Sequence, residues 1–299
     1  MNTSVCAILV NFKNEKKTVE CLRALEKNSI QPACVYIIDN VSTSESQKYF
    51  WSFTFSFKVR WIWNKENLGF AAACNQGILA AEAEYGSSYI WLLNNDTLPE
   101  PTALEALLKK ADSTNAGITG SLIKKINGEF SGGVCFIHPK FASIRRPRSK
   151  DETGFDYIEG SSFLISPECL KSTGLLSEEY FLYFEESDYC LQAKRKGFNI
   201  AWATDSVILH DIGSSTGSEI AKGEVPFFID CLMIRNRIHF ALKNGFPKIY
   251  VLLGLMISLG IRLNRLQFTR IATIIAITFS TKIFKRFIEK NGGFYEIKV

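Results

Sequence analysis

A chain of 299 residues that is 46% apolar and 22% charged can bury a sizeable core, which excludes an intrinsically disordered protein. The formal net charge is +5, but residues 235–299 contain twelve Lys/Arg and two Glu, so the rest of the chain is acidic. The tail cations alternate with long aliphatic runs, a pattern that argues against a nucleic-acid partner.

The eight cysteines indicate a reducing compartment. They lie far apart, mostly in apolar runs, and form no C-x-x-C pair, so neither a disulfide framework nor a zinc site is predicted. The first residues, MNTSVCAILVNF, lack the basic region and long apolar run of a signal peptide. We therefore expect a cytoplasmic protein.

Short apolar strands alternate with helix-like segments over the first 125 residues. This pattern predicts a mostly parallel sheet covered by helices on both faces. The predicted strands are SVCAILVNF, CVYIIDN, KVRWIWN, YIWLLNND and AGITGSLIKK, and the predicted helices are KKTVECLRALEKN, GFAAACNQGILAAEAEY and PTALEALLKKADS.

The pattern becomes mixed after residue 125. A Gly-rich hairpin is predicted around EFSGGVCFI, followed by a basic loop, a strand at IEGSSFLIS, a helix at EESDYCLQAKRKG and a strand at NIAWATDSVILH. The small polar residues of 213–224 are typical of a mobile loop or lid. These elements complete one predicted domain, residues 1–224.

Residues 225–299 are predicted to form a helical, basic and apolar extension. Its apolar run at 249–261 is too short for a bilayer span of about 20 residues. Apolar helices with basic borders suit the surface of an anionic membrane, whereas core helices packed on the first domain are the alternative. In RNRIHFALKNG, Arg235 and Arg237 are either surface cations or contacts to phosphate groups.

Four predicted strands end in Asn or Asp. The positions are Asn11 with Phe12, Asp39 with Asn40, 64–67, and 94–96. Ligands of open parallel sheets bind beyond the carboxyl ends of the strands, so a shared polar crevice is predicted there. The alternative for each strand end is ordinary turn chemistry, which also favours Asn and Asp.

The remaining chemistry is that of carboxylates and amides, because no P-loop, dinucleotide-binding glycine motif or serine nucleophile elbow is present. Asp96 and His210 end two strands and together could hold Mg²⁺ or Mn²⁺. Glu185, Glu186 and Asp188 cluster in FEESDYCL, where one carboxylate could act as a general base. The alternative is an acidic first turn stabilised by the helix dipole.

Six blocks fall in order between about residues 4 and 216. Their sequence resembles the family 2 glycosyltransferases, in particular the rhamnosyltransferase-like branch of bacterial surface polysaccharide synthesis. The resemblance implies the GT-A α/β fold. The blocks are AILVNFKNEKKTVECLRAL, YIIDNVSTSES, WNKENLGFAAACNQGI, WLLNNDTLPEP, IEGSSFLIS followed by GLLSEEYFLYFEESDYCLQAKRKGF, and VILHDIGSST.

The resemblance also implies roles for individual residues. Asp96 occupies the metal position of the family's D-x-D motif, and His210 matches a second metal contact. Glu186 stands where the family usually has an aspartate base, with Glu185 and Asp188 as neighbouring candidates. The implied donor-binding residues are Asn11, Phe12 and Asp39 at the nucleobase, and Asn67, Gly69, Phe70, Asn75, Asn94 and Asn95 along the rest of the nucleotide sugar.

The implied activity is inverting transfer of L-rhamnose from dTDP-L-rhamnose to a lipid-linked saccharide during O-antigen or capsule synthesis. UDP-hexose and UDP-galactofuranose remain alternative donors, because uracil and thymine offer the same imide N–H to Asp39. A non-catalytic nucleotide-sugar-binding scaffold is the alternative outside the enzymes. We expect a peripheral protein on the inner face of the cell membrane, and a homo-oligomer is compatible with the sequence.

Overall fold

The computed structural model describes residues 4–210 and 225–292, so the predicted lid at 213–224 lies outside the described residues. The strands are β1 Val5–Asn11, β2 Cys34–Asn40, β3 Val59–Asn64, β4 Tyr89–Leu93, β5 Thr97–Pro99, β6 Ala116–Lys125, β7 Phe130–Gly132, β8 Val134–Ile137, β9 Ile144–Arg145, β10 Tyr157–Ile158, β11 Ser162–Ile165 and β12 Asn199–His210. The helices are α1 Glu15–Leu25, α2 Ser44–Trp51, α3 Phe70–Tyr85, α4 Ala103–Thr114, α5 Pro167–Thr173, α6 Glu185–Arg195, α7 Phe227–Lys243, α8 Lys248–Asn264, α9 Phe268–Phe279 and α10 Thr281–Asn291.

The central sheet has the order β3-β2-β1-β4-β11-β6-β12-β5, with β7 paired to β6. Strands β3, β2, β1 and β4 are parallel, as are β6 and β12. Strand β11 lies antiparallel between β4 and β6, with Ser162 opposite Leu93. The antiparallel insertion places residues 159–161 beside the turn that follows β4.

Helices cover both faces of this sheet. Residues of α3, α5 and α6 join the core on one face, and residues of α1 and α4 join the core on the other. Gly77 allows α3 to approach the sheet closely, since a Cβ there would lie 2.7 Å from Cγ2 of Ile8. All eight cysteines are buried and free, which confirms their prediction as core thiols.

A third core joins the C-terminal helices to the first domain. Residues of α7, α8, α9 and α10 pack with Tyr180, Phe181 and Phe184, which precede α6. Within residues 4–210 and 225–292, no helix has both the length and the apolar character needed to cross a membrane. The division of the chain at 224 stays a prediction.

Two predicted elements are interrupted by turn residues. The strand predicted at YIWLLNND ends at Leu93, before a polar turn at 94–96. The last predicted helix divides into α9 and α10 at Ser280, whose backbone is extended and whose Oγ accepts a hydrogen bond from Ile283 N–H at 3.3 Å. A serine cap that starts a new helix also ends the preceding one.

Candidate active site

The ends of β1 and β2 are joined by buried hydrogen bonds. Nδ2 of Asn11 donates to Oδ1 of Asp39 at 2.8 Å, and Oγ of Ser46 donates to Oδ2 of the same carboxylate at 2.7 Å. Nδ2 of Asn95 donates to Oγ1 of Thr18 at 2.9 Å, and Thr18 donates to Oδ1 of Asn11 at 2.8 Å. This side of the predicted crevice is therefore fixed by the protein itself.

The two residues predicted to meet the nucleobase at the end of β1 differ in exposure. Asn11 is fully buried, whereas Phe12 is half-buried. The Nζ atom of Lys13 lies 5.4 Å from the centre of the Phe12 ring, and Lys13 adopts a left-handed φ of 52°. Of the two residues, Phe12 is the more accessible, and Asn11 orients Asp39 through its hydrogen bond.

The loop that starts α3 is held against residues that precede α6. Oδ1 of Asn67 accepts from Nδ2 of Asn40 at 2.7 Å and from Gly69 N–H at 3.0 Å. Phe70 N–H donates to the Phe181 carbonyl at 2.8 Å. Gly69 has φ +86°, and a Cβ there would lie 2.5 Å from the same carbonyl oxygen, so only glycine fits this position.

Asn75 differs from its expected role in lining the donor pocket. The residue is buried, and its Nδ2 donates to the Leu176 carbonyl and to Oε1 of Glu178, both at 2.9 Å. Its Oδ1 accepts from Leu176 N–H at 3.0 Å. Because both amide atoms bind this loop, Asn75 fixes α3 to residues 176–178 and presents no unbonded amide atom to a ligand.

The two predicted metal ligands meet at adjacent strand ends. Thr97 of β5 pairs with His210 of β12, which brings the preceding Asp96 beside the imidazole. Nε2 of His210 lies 3.1 Å from Oδ1 of Asp96. In the same turn, Asn94 N–H donates to the Ser161 carbonyl at 3.2 Å, so the turn is fixed to the segment before β11.

Asp96 and His210 fit a divalent ion as two of its ligands. No group of three or more His, Cys, Asp or Glu side chains that could hold a metal occurs within the described ranges, 4–210 and 225–292. Mg²⁺ and Mn²⁺ take about six ligands and bind the oxygens of substrate phosphates readily. The pair therefore suits an ion that completes its coordination with a diphosphate and water.

The acidic start of α6 follows a strained turn. Tyr183 and Phe184 both have left-handed backbones, with φ of 70° and 78°, a conformation that is costly for bulky residues. The carboxylate of Glu186 lies against Gly160, because a Cβ at Gly160 would stand 3.7 Å from Cδ of Glu186. Oε2 atoms of Glu185 and Glu186 are buried and have no hydrogen-bond partner among the described residues.

Burial changes the ionisation of both carboxylates. It raises the pKa of Glu186 to about 7. The pKa of Glu185 is held well above its usual range, first by burial and then by the charge of Glu186. Two carboxylates that interact in a buried site do not both ionise readily, so the pair favours a state in which one of them carries a proton.

Asp188 differs from the other two acidic candidates. It is fully buried, and its Oδ1 accepts from Nδ2 of Asn244 at 2.8 Å. Its Oδ2 accepts from Nε2 of Gln192 at 2.7 Å and lies 2.9 Å from Nζ of Lys243. A carboxylate neutralised and hydrogen-bonded in this way joins α6 to α7, and the geometry disfavours it as a base.

Arg235 and Arg237 both donate hydrogen bonds to main-chain carbonyls of the protein, and Arg235 is buried, so it is not a surface cation. Nη1 of the buried Arg235 donates to the Glu179 carbonyl at 2.9 Å. Nη2 of Arg237 donates to the Gly254 carbonyl at 3.1 Å and to Oγ of Ser258 at 2.8 Å. Both guanidinium groups are internal donors that fix main-chain segments to α7.

Thr18 and Ser46 were absent from the predicted site. Each lies in the helix that follows a strand end, where its hydroxyl reaches Asn11 or Asp39. The sequence offered only a weak signal for them, a hydroxyl residue in the first helix that follows a polar strand end.

The sequence profile of the family described as "Glycosyl transferase family 2" matches residues 6–166, which contain the turn at 94–96 and most of the central sheet. The chain belongs to glycosyltransferase family 2. The family assignment made from the six sequence blocks is thereby confirmed.

Two relatives and one solved structure add to this family assignment. The low-salt glycan biosynthesis hexosyltransferase Agl10 of Haloferax volcanii is 25% identical over 199 residues, which are 64% of this chain and 62% of the relative. The dTDP-rhamnosyl transferase RfbF of Shigella flexneri is 22% identical over 264 residues, 87% of each chain. The chain thus spans less than two thirds of the Haloferax relative's length.

The mannosyltransferase PcManGT of Pyrobaculum calidifontis, solved with GDP-Man and Mn²⁺, has a similar structure. Its TM-score is 0.58 at 15% sequence identity, over 92% of this chain and 74% of the solved one. This similarity confirms the predicted GT-A fold. The Mn²⁺ and the sugar nucleotide belong to that structure.

Proposed function

We propose that this family 2 glycosyltransferase transfers a sugar from a nucleotide donor to a hydroxyl group with inversion at the anomeric carbon. The observation that carries this proposal is the half-buried Glu186, which has a buried oxygen without a partner among the described residues and a pKa raised to about 7, in a chain that also brings Asp96 and His210 together. The two groups are linked through Gly160 and Ser161, since Gly160 meets Glu186 and Ser161 bonds the turn before Asp96.

The two groups have complementary roles in such a displacement. Glu186 accepts the proton of the acceptor hydroxyl while that oxygen attacks the anomeric carbon, and the nucleoside diphosphate leaves from the other side. Asp96 and His210 would hold Mg²⁺ or Mn²⁺, which would supply positive charge to stabilise the departing nucleoside diphosphate. Burial and the charge of Glu186 raise the pKa of Glu185 well above its usual range, which favours Glu186 as the base of the pair.

The proposed donor is dTDP-L-rhamnose. Its support is the rhamnosyl transferase relative, which matches over 87% of both chains. Phe12 is half-buried at the proposed nucleobase end, whereas Asp39 is fully buried and its two oxygens already accept hydrogen bonds from Asn11 and Ser46. Neither residue distinguishes uracil from thymine, so UDP-hexose and UDP-galactofuranose are the competing donors.

The proposed acceptor is a lipid-linked saccharide at an anionic membrane surface on the cytoplasmic side. Support comes from one face of α8, whose apolar side chains are all more than two-fifths exposed. Lys248 and Arg265 lie exposed near its two ends and suit anionic headgroups. The exposed apolar residues are Ile249, Leu252, Leu253, Met256, Ile257 and Ile261.

Two other cations of the tail point inward. Arg262 and Arg270 both pair with the carboxylate of Asp230 in α7, Arg270 through Nη1 at 2.9 Å. This ion-pair network fixes α8 and α9 to α7. The proposed membrane face is therefore rigidly attached to the catalytic part, and its charge is smaller than the tail sequence alone indicates.

A donor screen tests the proposed activity. Thermal shift with Mg²⁺ or Mn²⁺ across dTDP- and UDP-sugars identifies the donor, and transfer to a lipid-linked saccharide is then followed as release of nucleoside diphosphate. We expect dTDP-L-rhamnose to raise the Tm most and to support turnover. Donor binding without any turnover would favour the scaffold, and no binding of any sugar nucleotide would contradict both.

Sedimentation with lipid vesicles tests the membrane face. The double variant Leu252→Asp, Met256→Asp should bind phosphatidylglycerol vesicles at least tenfold more weakly than wild type, because it places charge in the apolar layer. Leu79→Asp, which changes an equally exposed residue of α3, is the matched control and should bind normally. Equal binding by all three proteins would refute this surface.

A further inference from the structure

Two side chains of α7 bind the main chain of residues 179–184, here called the approach loop because it leads into α6. Nη1 of Arg235 donates to the Glu179 carbonyl at 2.9 Å. Nδ2 of Asn236 donates to the Leu182 carbonyl at 2.9 Å and to the Tyr183 carbonyl at 3.1 Å. All three acceptors are backbone atoms, so the bonds fix the path of the loop rather than its side chains.

The approach loop needs such support because of its backbone. Tyr183 and Phe184 are consecutive left-handed residues, and Phe184 precedes α6 without any side-chain cap. Non-glycine residues keep this conformation only where surrounding contacts enforce it. The Asn236 amide bonds the carbonyls of Leu182 and Tyr183, directly at the point where the left-handed turn is made.

The orientation of Asn236 is itself determined. The residue is fully buried, and its Oδ1 accepts from Nη1 of Arg235 at 2.9 Å. An arginine can only donate, so the oxygen faces Arg235 and the amide nitrogen faces the loop. The Arg235 guanidinium is fixed in turn, 3.7 Å from the centre of the Phe284 ring of α10.

The same helix holds the other side of the acidic pair. Lys243 and Asn244, at the end of α7, bind the carboxylate of Asp188 two residues beyond Glu186. Contacts from α7 therefore fall on both sides of Glu185 and Glu186, whose own Oε2 atoms have no partner within the described ranges. The direction of these carboxylates depends on the backbone that carries them.

We propose that Asn236, oriented by Arg235, is a positioning residue that holds the turn before Glu185 and thereby aims the Glu186 carboxylate at the acceptor hydroxyl. This proposal rests on the proposed function, in which Glu186 is the base. Asn236 contacts neither substrate nor reacting atoms; it acts through the backbone of Tyr183 and Phe184.

Arg237 provides a matched control for a merely structural effect. It follows Asn236 in the same helix and also donates to a main-chain carbonyl, that of Gly254, as well as to Ser258. These bonds tie α7 to α8 and do not reach the approach loop. Replacing Arg237 should lower stability without moving Glu186.

The test compares full-length Asn236→Asp and Arg237→Met for Tm, donor Kd, kcat and hydrogen exchange of the peptide covering 179–190. Asn236→Asp keeps the shape but replaces the donor with a carboxylate that repels two carbonyls. We expect at least a tenfold loss of kcat, a donor Kd within about twofold of wild type and faster exchange of this peptide. Arg237→Met should lower Tm with kcat within about twofold and unchanged exchange there.

Other outcomes separate this proposal from the proposed function. The positioning role would be overturned if Asn236→Asp changed neither kcat nor exchange, or if both variants lost kcat equally. Glu186→Gln would still test separately whether Glu186 is the base. If Asn236→Asp does not fold, Asn236→Ser retains one hydroxyl donor and should show the same pattern with a smaller loss. The exchange measurement needs no activity, so it decides the loop's dependence on Asn236 even if no donor is turned over.

Discussion

The proposed donor side and the carboxylate side of the crevice differ in how their polar atoms are satisfied. On the donor side, Asn11, Asp39 and Asn67 are hydrogen-bonded to neighbouring protein groups. On the carboxylate side, Glu185 and Glu186 each have a buried oxygen without a partner in the described part of the chain. Both sides are polar, and on the carboxylate side burial raises the pKa of both glutamates, that of Glu186 to about 7.

This difference separates binding from chemistry. A network whose members already bond one another needs little reorganisation when a ligand arrives, so it favours binding. A buried carboxylate without a partner is costly in its charged form, which brings its pKa near the working range of a general base. Variants on the donor side should therefore change affinity, whereas variants on the carboxylate side should change the rate.

The largest expected effect is that of Glu186→Gln. Removing a positioned general base costs about 10²- to 10⁴-fold in rate, so kcat should fall by this amount while donor Kd is unchanged. Steady-state kinetics with equilibrium donor binding checks both values. Glu185→Gln is the matched control. A larger loss of kcat in Glu185→Gln than in Glu186→Gln would mean that Glu185 is the base.

A smaller effect is expected on the donor side from Asp96→Asn. Loss of the carboxylate should weaken Mn²⁺-dependent nucleotide binding at least tenfold, which is about 1.4 kcal/mol. Calorimetric titration of Mn²⁺ in the presence and absence of nucleoside diphosphate measures it. In the wild type, Mn²⁺ should bind much more tightly with the nucleotide, because Asp96 and His210 supply two ligands; equal affinity in both conditions would argue against this arrangement.

The pH dependence of the rate should report Glu186. A base acts in its deprotonated form, so kcat should fall about tenfold per unit as pH drops below the pKa of about 7. The carboxyl groups that face Glu186 are Glu185 and Glu159, and Nε of Arg146 lies 2.8 Å from Glu159. The neutral titratable groups that interact with it are Tyr157, Cys135 and Cys190.

The raised pKa of Glu186 also makes the stability of the fold depend on pH, but stability falls as pH rises whereas the rate increases. The protonated carboxyl is favoured by the folded state, so its contribution is complete below about pH 4.5 and is lost as pH rises through about 7. Chemical denaturation of wild type and Glu186→Gln should show this difference, with the variant losing less stability over that range. Identical pH profiles of the two proteins would mean that Glu186 has an ordinary pKa.

The smallest effect is expected from Asn67→Ala. This change removes the bonds of Asn67 to Asn40 and Gly69 and to the Gly292 carbonyl at 2.8 Å. The loop before α3 should loosen, and the donor KM should rise a few-fold with kcat nearly constant. A fall in kcat without a change in KM would place Asn67 with the carboxylate side instead.

The polar strand ends were predictable from sequence because their signal is local. Asn11, Asp39 and Asp96 lie at the ends of buried apolar runs, and parallel strands bring such ends to one edge of the sheet. The pairing of Asp96 with His210 also followed from two strand ends. The short strand β5 that aligns them was not predicted, since three residues carry no periodicity.

The hydrogen-bond partners of individual asparagine side chains were not predictable from the sequence. Asn75 bonds a residue 101 positions away, and Asn236 bonds carbonyls more than fifty positions away. Asn, moreover, has no preferred partner that a sequence could reveal. The helix α2 was missed for a related reason, because its capping box uses Ser46 at the position where Glu or Gln is the usual signal.

The most direct test of the central claim measures donor affinity and sugar transfer in the same preparations of Glu186→Gln and Asp96→Asn. We predict that Glu186→Gln binds the sugar nucleotide with Mn²⁺ as tightly as wild type but transfers at least a hundredfold more slowly. Asp96→Asn should lose Mn²⁺-dependent binding at least tenfold. If Glu186→Gln transferred sugar at the wild-type rate, or lost donor binding to the same extent as Asp96→Asn, the division of the crevice into a binding side and a chemical side would be contradicted.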